Sequence, residues 1–513
     1  MKCTAWLTLL AAATLTACDR ATPEQQIVND AAAALGGRER ILAVKTIVIE
    51  GKGTAYSVGS DRLIDTNYRV YDVAGYRYAI DVAGRRALSE QTRTPLTPNF
   101  SGQAPVKQVQ GIDGDVGYNI GSNGNATRVR NKVTIDARRA DIYHHPLTSV
   151  RAAIDPAAKV ANLRTLGNET IVDITTADAV SMTLAIDSTT KLPTRVVSTT
   201  ASDNILGDVA AETAFADYQD VSGLRLPAHF TSKVDRFKDT DIRVTKQTID
   251  GDIGNVGNLA APAAAASAPA TEAPAPPVTV TVEEVAKGIW FLAGQTHHSV
   301  LVEFGDHLTL IEAPNEARAL AVFAKAKELR PNKPLTVLVN THHHFDHSAG
   351  VRAAVSEGLT VITHRSNVAF YEEAVQRPHR LIPDALSKNP TPKPLKIVAV
   401  DDEMVLKDDT RTIVLCRILN NSHADNNLMV YFPGERLLTQ ADIFMPRDPR
   451  TLGYAPWVDN LLENIKTYHL QIDRMMPLHG KIVPYREFLQ VAKDGFDRAI
   501  VPEAPPYRFT APS

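Results

Sequence analysis

The hydrophobic positions along the chain follow two different patterns. Residues 27–252 carry many short β-branched runs separated by polar turns, beginning with the run at 46–50, and this pattern predicts a β-rich domain. From residue 280 onward, strand-like runs such as Leu335–Val339 alternate with helical stretches such as 316–330. Alternation of strands with helices is typical of a layered α/β domain. The chain is therefore predicted to hold two domains of different class.

Local patterns within the β-rich region predict two hairpins and one helix. Asn123-Gly124 favours a type I′ turn between two short strands. The runs at 182–186 and 195–197 are predicted to pair as a second hairpin, because turn-forming residues separate them. A helix with an interruption near its proline is predicted over 137–154.

The β-rich region also carries one histidine pair, His144-His145. No carboxylate stands nearby at the spacing that metal ligands need. We therefore expect this pair to lie on the protein surface without a chemical role.

Two short phrases of this region are the turn sequence 187–193 and, further on, Tyr218 followed by 223–227. These phrases resemble the half-barrel of periplasmic lipoprotein carriers. The resemblance implies a half-barrel-like sheet. It also implies one alternative function, a carrier lipoprotein that holds a lipid or another hydrophobic ligand.

An alanine- and proline-rich stretch at 255–279 separates the two patterns. It has little charge and no periodic apolar face, so it is expected to be a semi-extended spacer that packs on nothing. The predicted domains are then 19–254 and 280–513. Such a linker implies few contacts across the boundary, and a fragment 280–513 is expected to fold alone and to keep its site.

The first 18 residues have the features of a targeting segment. Lys2 supplies a positive charge, and an apolar stretch too short to span a membrane follows it. The sequence 15–18, Leu-Thr-Ala-Cys, resembles the bacterial lipobox, which implies export to the periplasm and a membrane anchor on lipidated Cys18. Asp19 then favours the inner membrane. The alternative is an ordinary secretory peptide with an incidental cysteine.

Composition argues against a nucleic-acid partner, a disulfide bond and a cysteine nucleophile. A net charge of −3 without a lysine- or arginine-rich tract argues against a nucleic-acid partner. Of the three cysteines, Cys3 and Cys18 belong to the targeting segment, which leaves Cys416 alone and no disulfide expected. The apolar neighbours of Cys416 predict a buried strand residue and not a nucleophile. The oligomeric state is left open.

The strongest chemical pattern follows the predicted strand Leu335–Val339. It reads His342-x-His344-x-Asp346-His347. Residues two apart in an extended chain face the same side, so His342 and His344 can share one metal ion. Asp346 and His347 follow in the turn and can face a second ion. Imidazole nitrogen and carboxylate oxygen suit zinc, and strand ends of open α/β sheets are common ligand sites.

This pattern resembles the signature of the metallo-β-lactamase-fold hydrolases, a superfamily that includes class B β-lactamases, glyoxalase II, lactonases and alkylsulfatases. The resemblance covers approximately residues 281–495. It implies an αββα sandwich with two zinc ions at one edge. The ligands that it implies are His342, His344 and His423 for the first zinc, Asp346, His347 and His479 for the second, and Asp442 as the bridge between them.

Several positions refine the resemblance. Class B1 enzymes carry Cys and class B3 enzymes Ser where this chain has Asp442, which is closer to the glyoxalase II, lactonase and phosphodiesterase pattern. Glu312 stands where many members have Asp, and we expect it to orient a ligand histidine. His343 is expected to point away from the metals. His297 and His298 either rim the pocket or are ordinary loop residues.

The leading functional hypothesis is an exported dinuclear zinc hydrolase that cleaves a small ester, lactone, amide or β-lactam. Two zinc ions lower the pKa of a shared water from ~15.7 toward ~7, and the resulting bridging hydroxide attacks the substrate. Asp346 is expected to accept the proton. The alternative enzyme is a mononuclear iron dioxygenase of the persulfide type. Loops at 295–299, 378–391 and 446–457 are expected to set specificity, and Tyr454 and Trp457 either form an apolar pocket wall or pack against a neighbouring helix.

Overall fold

The computed structural model describes most of both domains. The N-terminal targeting segment with Cys18 lies outside the described residues, and so does Tyr454. Within the described residues no helix is long and apolar enough to cross a membrane. The described ranges are 21–67, 69–96, 104–201, 205–251, 259–269, 277–294, 296–446 and 456–492.

One open antiparallel sheet dominates the N-terminal domain. Its strands are β1 (Thr46–Tyr56), β2 (Val70–Asp81), β3 (Arg86–Pro95), β4 (Val106–Asp113), β5 (Val116–Ile120), β6 (Ala126–Arg128), β7 (Lys159–Leu166), β8 (Glu169–Thr175), β9 (Ser181–Asp187), β10 (Pro193–Ala201), β11 (Asp208–Val221), β12 (Leu224–Val234) and β13 (Phe237–Ile249). The first strand pairs with the last at the centre, and the order runs outward to β6 on one side and β7 on the other. These two edges do not pair within the described residues, so the sheet is not a closed barrel.

Short helices cover one face of this sheet. They are α1 (Pro23–Ala34), α2 (Arg38–Ala43), α3 (Lys132–Asp141) and α4 (Pro146–Ala153). Helix α1 begins with a capping box, in which Thr22 and Gln25 bond to each other's backbone, and with a proline in its first turn. Its buried side chains join the apolar residues of the sheet in one core. The interruption predicted near Pro146 is confirmed, since α4 begins there.

Two local expectations for this domain need correction. The hairpin at Asn123-Gly124 exists, but Ile120 pairs with Ala126, so five residues connect the strands in place of a two-residue type I′ turn. The expectation that His144 and His145 lie on the surface is wrong, because they are only 9% and 1% exposed.

Buried neighbours explain the position of the histidine pair. Both ring nitrogens of His144 lie 2.9 Å from a hydroxyl, on Thr213 and Ser198. The ring of His145 stacks on Phe230 with 5.8 Å between centroids. Burial lowers the pKa of both imidazoles to about 4, so they are neutral core residues.

Part of the alanine- and proline-rich stretch is packed, contrary to the expected spacer. Residues 259–269 include the short helix α5 (Ala263–Ala266) and lie on the outer face of the large sheet. Leu259 and Ala265 are buried there against a satellite core that contains Tyr118. Apolar side chains on that face therefore give small alanines a surface to cover, which composition alone does not reveal.

The C-terminal domain contains two further sheets. The first holds β14 (Thr281–Ala286), β15 (Ile289–Ala293), β16 (Ser299–Glu303), β17 (Leu308–Ile311), β18 (Leu335–Val339), β19 (Thr360–His364) and β20 (Lys396–Val400). The second holds β21 (Glu403–Lys407), β22 (Thr412–Arg417), β23 (Leu428–Phe432), β24 (Leu437–Gln440), β25 (Arg474–Pro477) and β26 (Val483–Pro484). Cys416 is fully buried on β22, as predicted. The helices are α6 (Glu316–Leu329), α7 (Phe345–Ser348), α8 (Val351–Glu357), α9 (Val368–Gln376), α10 (Ala385–Lys388), α11 (Pro456–Thr467) and α12 (Tyr485–Val491).

Three apolar cores show that these elements form the predicted αββα sandwich. One core lies between the two sheets. A second joins the first sheet to α6, α8 and α9, and a third joins the second sheet to α11 and α12. Each sheet is thus covered by its partner on one face and by helices on the other.

The two domains are in extensive contact, contrary to the expectation of few contacts. Ile205, Leu206, Val209 and Phe237 of the N-terminal domain are buried in the same core as helices α6, α8 and α9. Ion pairs surround this apolar contact, between Asp208 and Arg380 at 3.1 Å and between Asp235 and Arg377 at 2.9 Å.

Candidate metal centre

Parallel strand pairs bring the polar loops of the C-terminal domain to one edge of the sandwich. Strands β17 and β18 are parallel neighbours, and they end at Glu312 and at the loop 340–344. Strands β24 and β25 are also parallel, and they lead to Asp442 and His479. Because parallel neighbours end at the same edge, ligands that are far apart in sequence meet there.

A first cluster contains His342, His344, His423 and Asp442, all of them buried. Oδ2 of Asp442 lies 3.0 Å from Nε2 of His423 and 3.4 Å from Nε2 of His342. The rings of His342 and His344 are 4.4 Å apart, as expected for residues on one side of an extended chain.

A second cluster lies directly beside the first and contains His297, Asp346, His347 and His479. Nε2 of His347 lies 3.1 Å from Nε2 of His479. Asp442 reaches this cluster as well, with Oδ1 at 2.7 Å from His479 and Oδ2 at 3.1 Å from His347. One carboxylate therefore faces both groups of histidines.

In His347 and His479 of the second cluster, the ring nitrogen that points away from the cluster, Nδ1, is within hydrogen-bond distance of an oxygen of the protein. Nδ1 of His347 lies 3.2 Å from Oε2 of Glu312, which is the orienting role predicted for that carboxylate. Nδ1 of His479 donates to the carbonyl of Thr296 at 2.7 Å. Both bonds leave Nε2 free to face the cluster and fix the tautomer of each ring.

The first cluster is held in a similar way. Nε2 of His344 donates to the carbonyl of Asp61 at 2.8 Å, so Nδ1 is the nitrogen left for a metal. Nδ1 of His342 lies 3.0 Å from the hydroxyl of Thr341, which itself donates to Glu312. The Asp61 contact comes from the N-terminal domain.

Backbone strain marks both carboxylates at the strand ends. Glu312 has φ of 73° and Asp442 has φ of 68°, in the left-handed region that residues other than glycine seldom adopt. Such conformations cost on the order of 1–3 kcal/mol and cluster at functional sites. The surrounding hydrogen bonds hold the two carboxylates in these positions.

The residues present fit metal ions. Nε2 of His342 is buried and makes no hydrogen bond within the described residues, although it points at the cluster. Two atoms that are each ~2.0–2.1 Å from one tetrahedral zinc lie about 3.3 Å apart. The spacings of 3.0–3.4 Å between Oδ2 of Asp442 and three histidine nitrogens are close to this value. Imidazole nitrogens with carboxylate oxygens are also the donor set that zinc accepts.

The pKa shifts of the ligand side chains favour the protonation states that bind a cation. Burial keeps the pKa of His342 and His344 well below the ordinary histidine value, so their rings are neutral and have a lone pair to offer. Burial alone would raise the pKa of Asp442, but His347 and the other imidazoles outweigh it and hold that pKa well below the usual range. Burial would lower the pKa of His347, but the carboxylates of Asp442 and Glu312 outweigh it and hold that pKa well above the ordinary histidine value. The clusters therefore present an ionised Asp442 beside the neutral rings of His342 and His344.

The structure brings together all seven residues that the sequence predicted as ligands. His343 does not join them, since its Nδ1 contacts Asn426 at 3.0 Å, and His298 faces the backbone of Gly294. His297, which the sequence left open, belongs to the second cluster. The ring of Trp457 lies 4.8 Å from that of His423, and Trp457 is 9% exposed within the core between α11 and the second sheet.

A family model of the metallo-β-lactamase superfamily matches residues 293–469. No curated protein matches the chain.

Solved structures that resemble part of this chain were also found. A metallo-β-lactamase from Hirschia baltica is 19% identical, with 41% of this chain and 94% of that chain covered and a TM-score of 0.31. FIM-1 from Pseudomonas aeruginosa, solved in a mono-zinc form, is 18% identical, with 44% and 99% covered and a TM-score of 0.32. The inverting sec-alkylsulfatase Pisa1 from Pseudomonas sp. is 19% identical, with 41% and 40% covered and a TM-score of 0.31. These similarities are too low to bear on the function of this chain.

The family match spans the histidine motif, the first two downstream ligand positions, His423 and Asp442, and part of each sheet of the sandwich. The C-terminal domain of this chain therefore matches the metallo-β-lactamase superfamily over residues 293–469.

Proposed function

We propose that the protein is a dinuclear zinc hydrolase acting on a small ester, lactone, amide or β-lactam. The observation that carries this proposal is the position of Asp442, whose two oxygens lie within 3.4 Å of histidines from both clusters. A carboxylate in that position is suited to join two ions. His342, His344 and His423 would hold the first ion, and Asp346, His347 and His479 the second.

Two zinc ions would supply a water of lowered pKa and polarise the carbonyl or related group under attack. Residues of the chain orient the metal ligands. Glu312 and the Thr296 carbonyl orient the two histidines of the second cluster. The ring of Trp457 packs edge-on against that of His423 and helps to fix its orientation.

Asp346 is placed to act on the reacting water. Its side chain is 56% exposed, unlike the buried ligands around it, and His297 lies 3.4 Å away. Burial would raise its pKa, but His297 and His347 hold that pKa well below the ordinary range, so the carboxylate is ionised at neutral pH. It can therefore bind a cation and orient the attacking water as a hydrogen-bond acceptor.

Asp346→Ala is expected to lower kcat/KM by about a thousandfold, or ~4 kcal/mol of transition-state stabilisation, and to weaken one of two bound zinc ions. Kinetics and metal analysis of the purified variant check this. The matched control is Asp401→Ala, which removes an exposed carboxylate paired with Arg365 on the surface. Near-wild-type turnover by an Asp346→Ala protein with two bound zinc ions would contradict the role.

A hydrolysis screen tests the substrate class. Thioester, lactone, β-lactam, phosphodiester and sulfate-ester substrates should be offered to the zinc-loaded protein. The proposal expects turnover of at least one acyl substrate and its loss on chelation. No turnover in any class by a protein with two bound zinc ions would contradict a hydrolytic role.

A further inference from the structure

A loop of the N-terminal domain reaches the metal centre. Residues 57–67 together with Arg69 connect β1 to β2, and we call them the site loop. Val58 and Ile64 pack against the core beneath helices α6 and α8. The carbonyl of Arg62 accepts from the backbone of Asp425, and the side chains of these two residues form an ion pair at 3.3 Å.

One contact of the site loop determines the orientation of a first-cluster ring. The carbonyl of Asp61 accepts from Nε2 of His344 at 2.8 Å, although 283 residues separate the two in sequence. The carboxylate of Asp61 in turn accepts from the backbone nitrogens of Arg62 at 2.7 Å and Arg69 at 3.1 Å. The side chain of Asp61 thus closes the turn that presents its own carbonyl to the ligand.

A second contact holds another ligand of the same cluster. Nη2 of Arg69 donates to the carbonyl of His423 at 2.8 Å and lies 3.3 Å from its Nδ1. Arg69 is 5% exposed, so this bond is made away from solvent. A charged donor makes a stronger hydrogen bond than a neutral one, so the guanidinium of Arg69 is suited to hold His423 in place.

A third contact joins the backbone of the site loop to the backbone of the histidine motif. The backbone nitrogen of Phe345 donates to the carbonyl of Gly59 at 3.0 Å. Gly59 has φ of 76°, and a β-carbon there would collide with the ring of Phe345. Only glycine allows this approach, so the chain next to His344 is held by two consecutive contacts from the other domain.

We propose that the site loop of the N-terminal domain is an integral part of the metal centre, with Asp61 and Arg69 as positioning residues for His344 and His423. The proposal rests on the dinuclear site of the proposed function. The N-terminal domain is then not an accessory module. It supplies the outer contacts for two of the three histidines of the first cluster, while the outer contacts of the second cluster come from the C-terminal domain.

The test uses full-length Asp61→Ala and Arg69→Ala, with zinc affinities measured by competition against a chromophoric chelator. Loss of an outer hydrogen bond typically costs 10–100-fold in metal affinity. We expect each variant to weaken one of the two zinc ions by about that factor and to leave the other unchanged. Asp61→Asn, which keeps an acceptor oxygen for the loop backbone, should restore most of the loss.

A spectroscopic measurement separates positioning from general stability. With cobalt in place of zinc, the variants should change the visible spectrum of one site only, while the melting temperature of the metal-free protein stays near wild type. The interface control is Arg380→Ala, which removes an interdomain ion pair with Asp208 away from the clusters and should leave both affinities unchanged. If Arg69→Ala does not fold, Arg69→Gln is judged by the same criteria.

The possible results distinguish a failure of the dinuclear site from a failure of the role given to the site loop. A wild-type protein that binds no pair of metal ions would contradict the proposed function itself. A wild-type protein with two zinc ions, together with folded Asp61→Ala and Arg69→Ala or Arg69→Gln variants of unchanged affinity and spectrum, would overturn the role of the site loop alone.

Discussion

Asp442→Asn is expected to abolish hydrolysis and to leave the protein unable to hold two zinc ions. The substitution keeps the shape of the side chain but removes the charge that faces four histidines. Amide nitrogen is a poor ligand, and the one predicted carboxylate ligand left, Asp346, belongs to the second cluster only. We expect a drop in kcat/KM of at least about a thousandfold, or ~4 kcal/mol.

Metal analysis and kinetics on the same preparation check this expectation. Asp473→Asn is the matched control, since Asp473 is a half-exposed carboxylate that pairs with Arg436 on the surface. It should keep two zinc ions and full activity. An Asp442→Asn protein with unchanged zinc stoichiometry and affinity would show that Asp442 is not a shared ligand.

A fragment 280–513 is expected to be insoluble, or soluble but depleted of zinc, while the full chain is soluble and loaded. This reverses the expectation drawn from the linker composition. The N-terminal side chains Ile205, Leu206, Val209 and Phe237 are buried against the C-terminal helices, and removing them uncovers that apolar surface. Removal also takes away the site loop, with its contacts to His344 and His423.

The size of the effect follows from the burial. Each such side chain contributes ~1.5–3 kcal/mol when it is transferred from water into a core. Four of them reach about 6–12 kcal/mol, which is comparable to the entire stability of a typical domain at ~5–15 kcal/mol. The interface is therefore a large part of what keeps the C-terminal domain folded.

Solubility, thermal melting and zinc content of the fragment provide the measurement. Co-expression of residues 21–279 as a separate chain is the control, and it should restore soluble, zinc-loaded protein. A soluble fragment that melts cooperatively and binds two zinc ions as tightly as the full chain would show that the interface contributes little.

The C-terminal fold and its ligand cluster could be predicted because their signals are local. The spacing of His342, His344, Asp346 and His347 after an apolar strand already indicates which rings share a side. The parallel pairing of β17 with β18 and of β24 with β25 then accounts for the meeting of the remaining ligands. His297 could not be assigned, because nothing in its own neighbourhood shows which way its loop turns.

The contribution of the N-terminal domain had no such signal. Asp61 acts through its backbone carbonyl, which every residue type possesses, so no sequence pattern marks it. Arg69 reaches its partner across 354 positions, and its sequence neighbours give no sign of that contact. The packing of the alanine-rich segment 259–269 was missed for a related reason, since the surface that buries it belongs to distant strands.

The metal content of the purified full-length protein shows whether the site is dinuclear and holds zinc. Elemental analysis after dialysis against metal-free buffer, and after reloading with zinc or iron, gives the number and kind of ions per chain. The prediction is two zinc ions per chain, a zinc-dependent hydrolytic activity, and the loss of both on chelation. A single iron per chain with oxygen consumption and no hydrolysis would contradict it and would support a mononuclear iron dioxygenase.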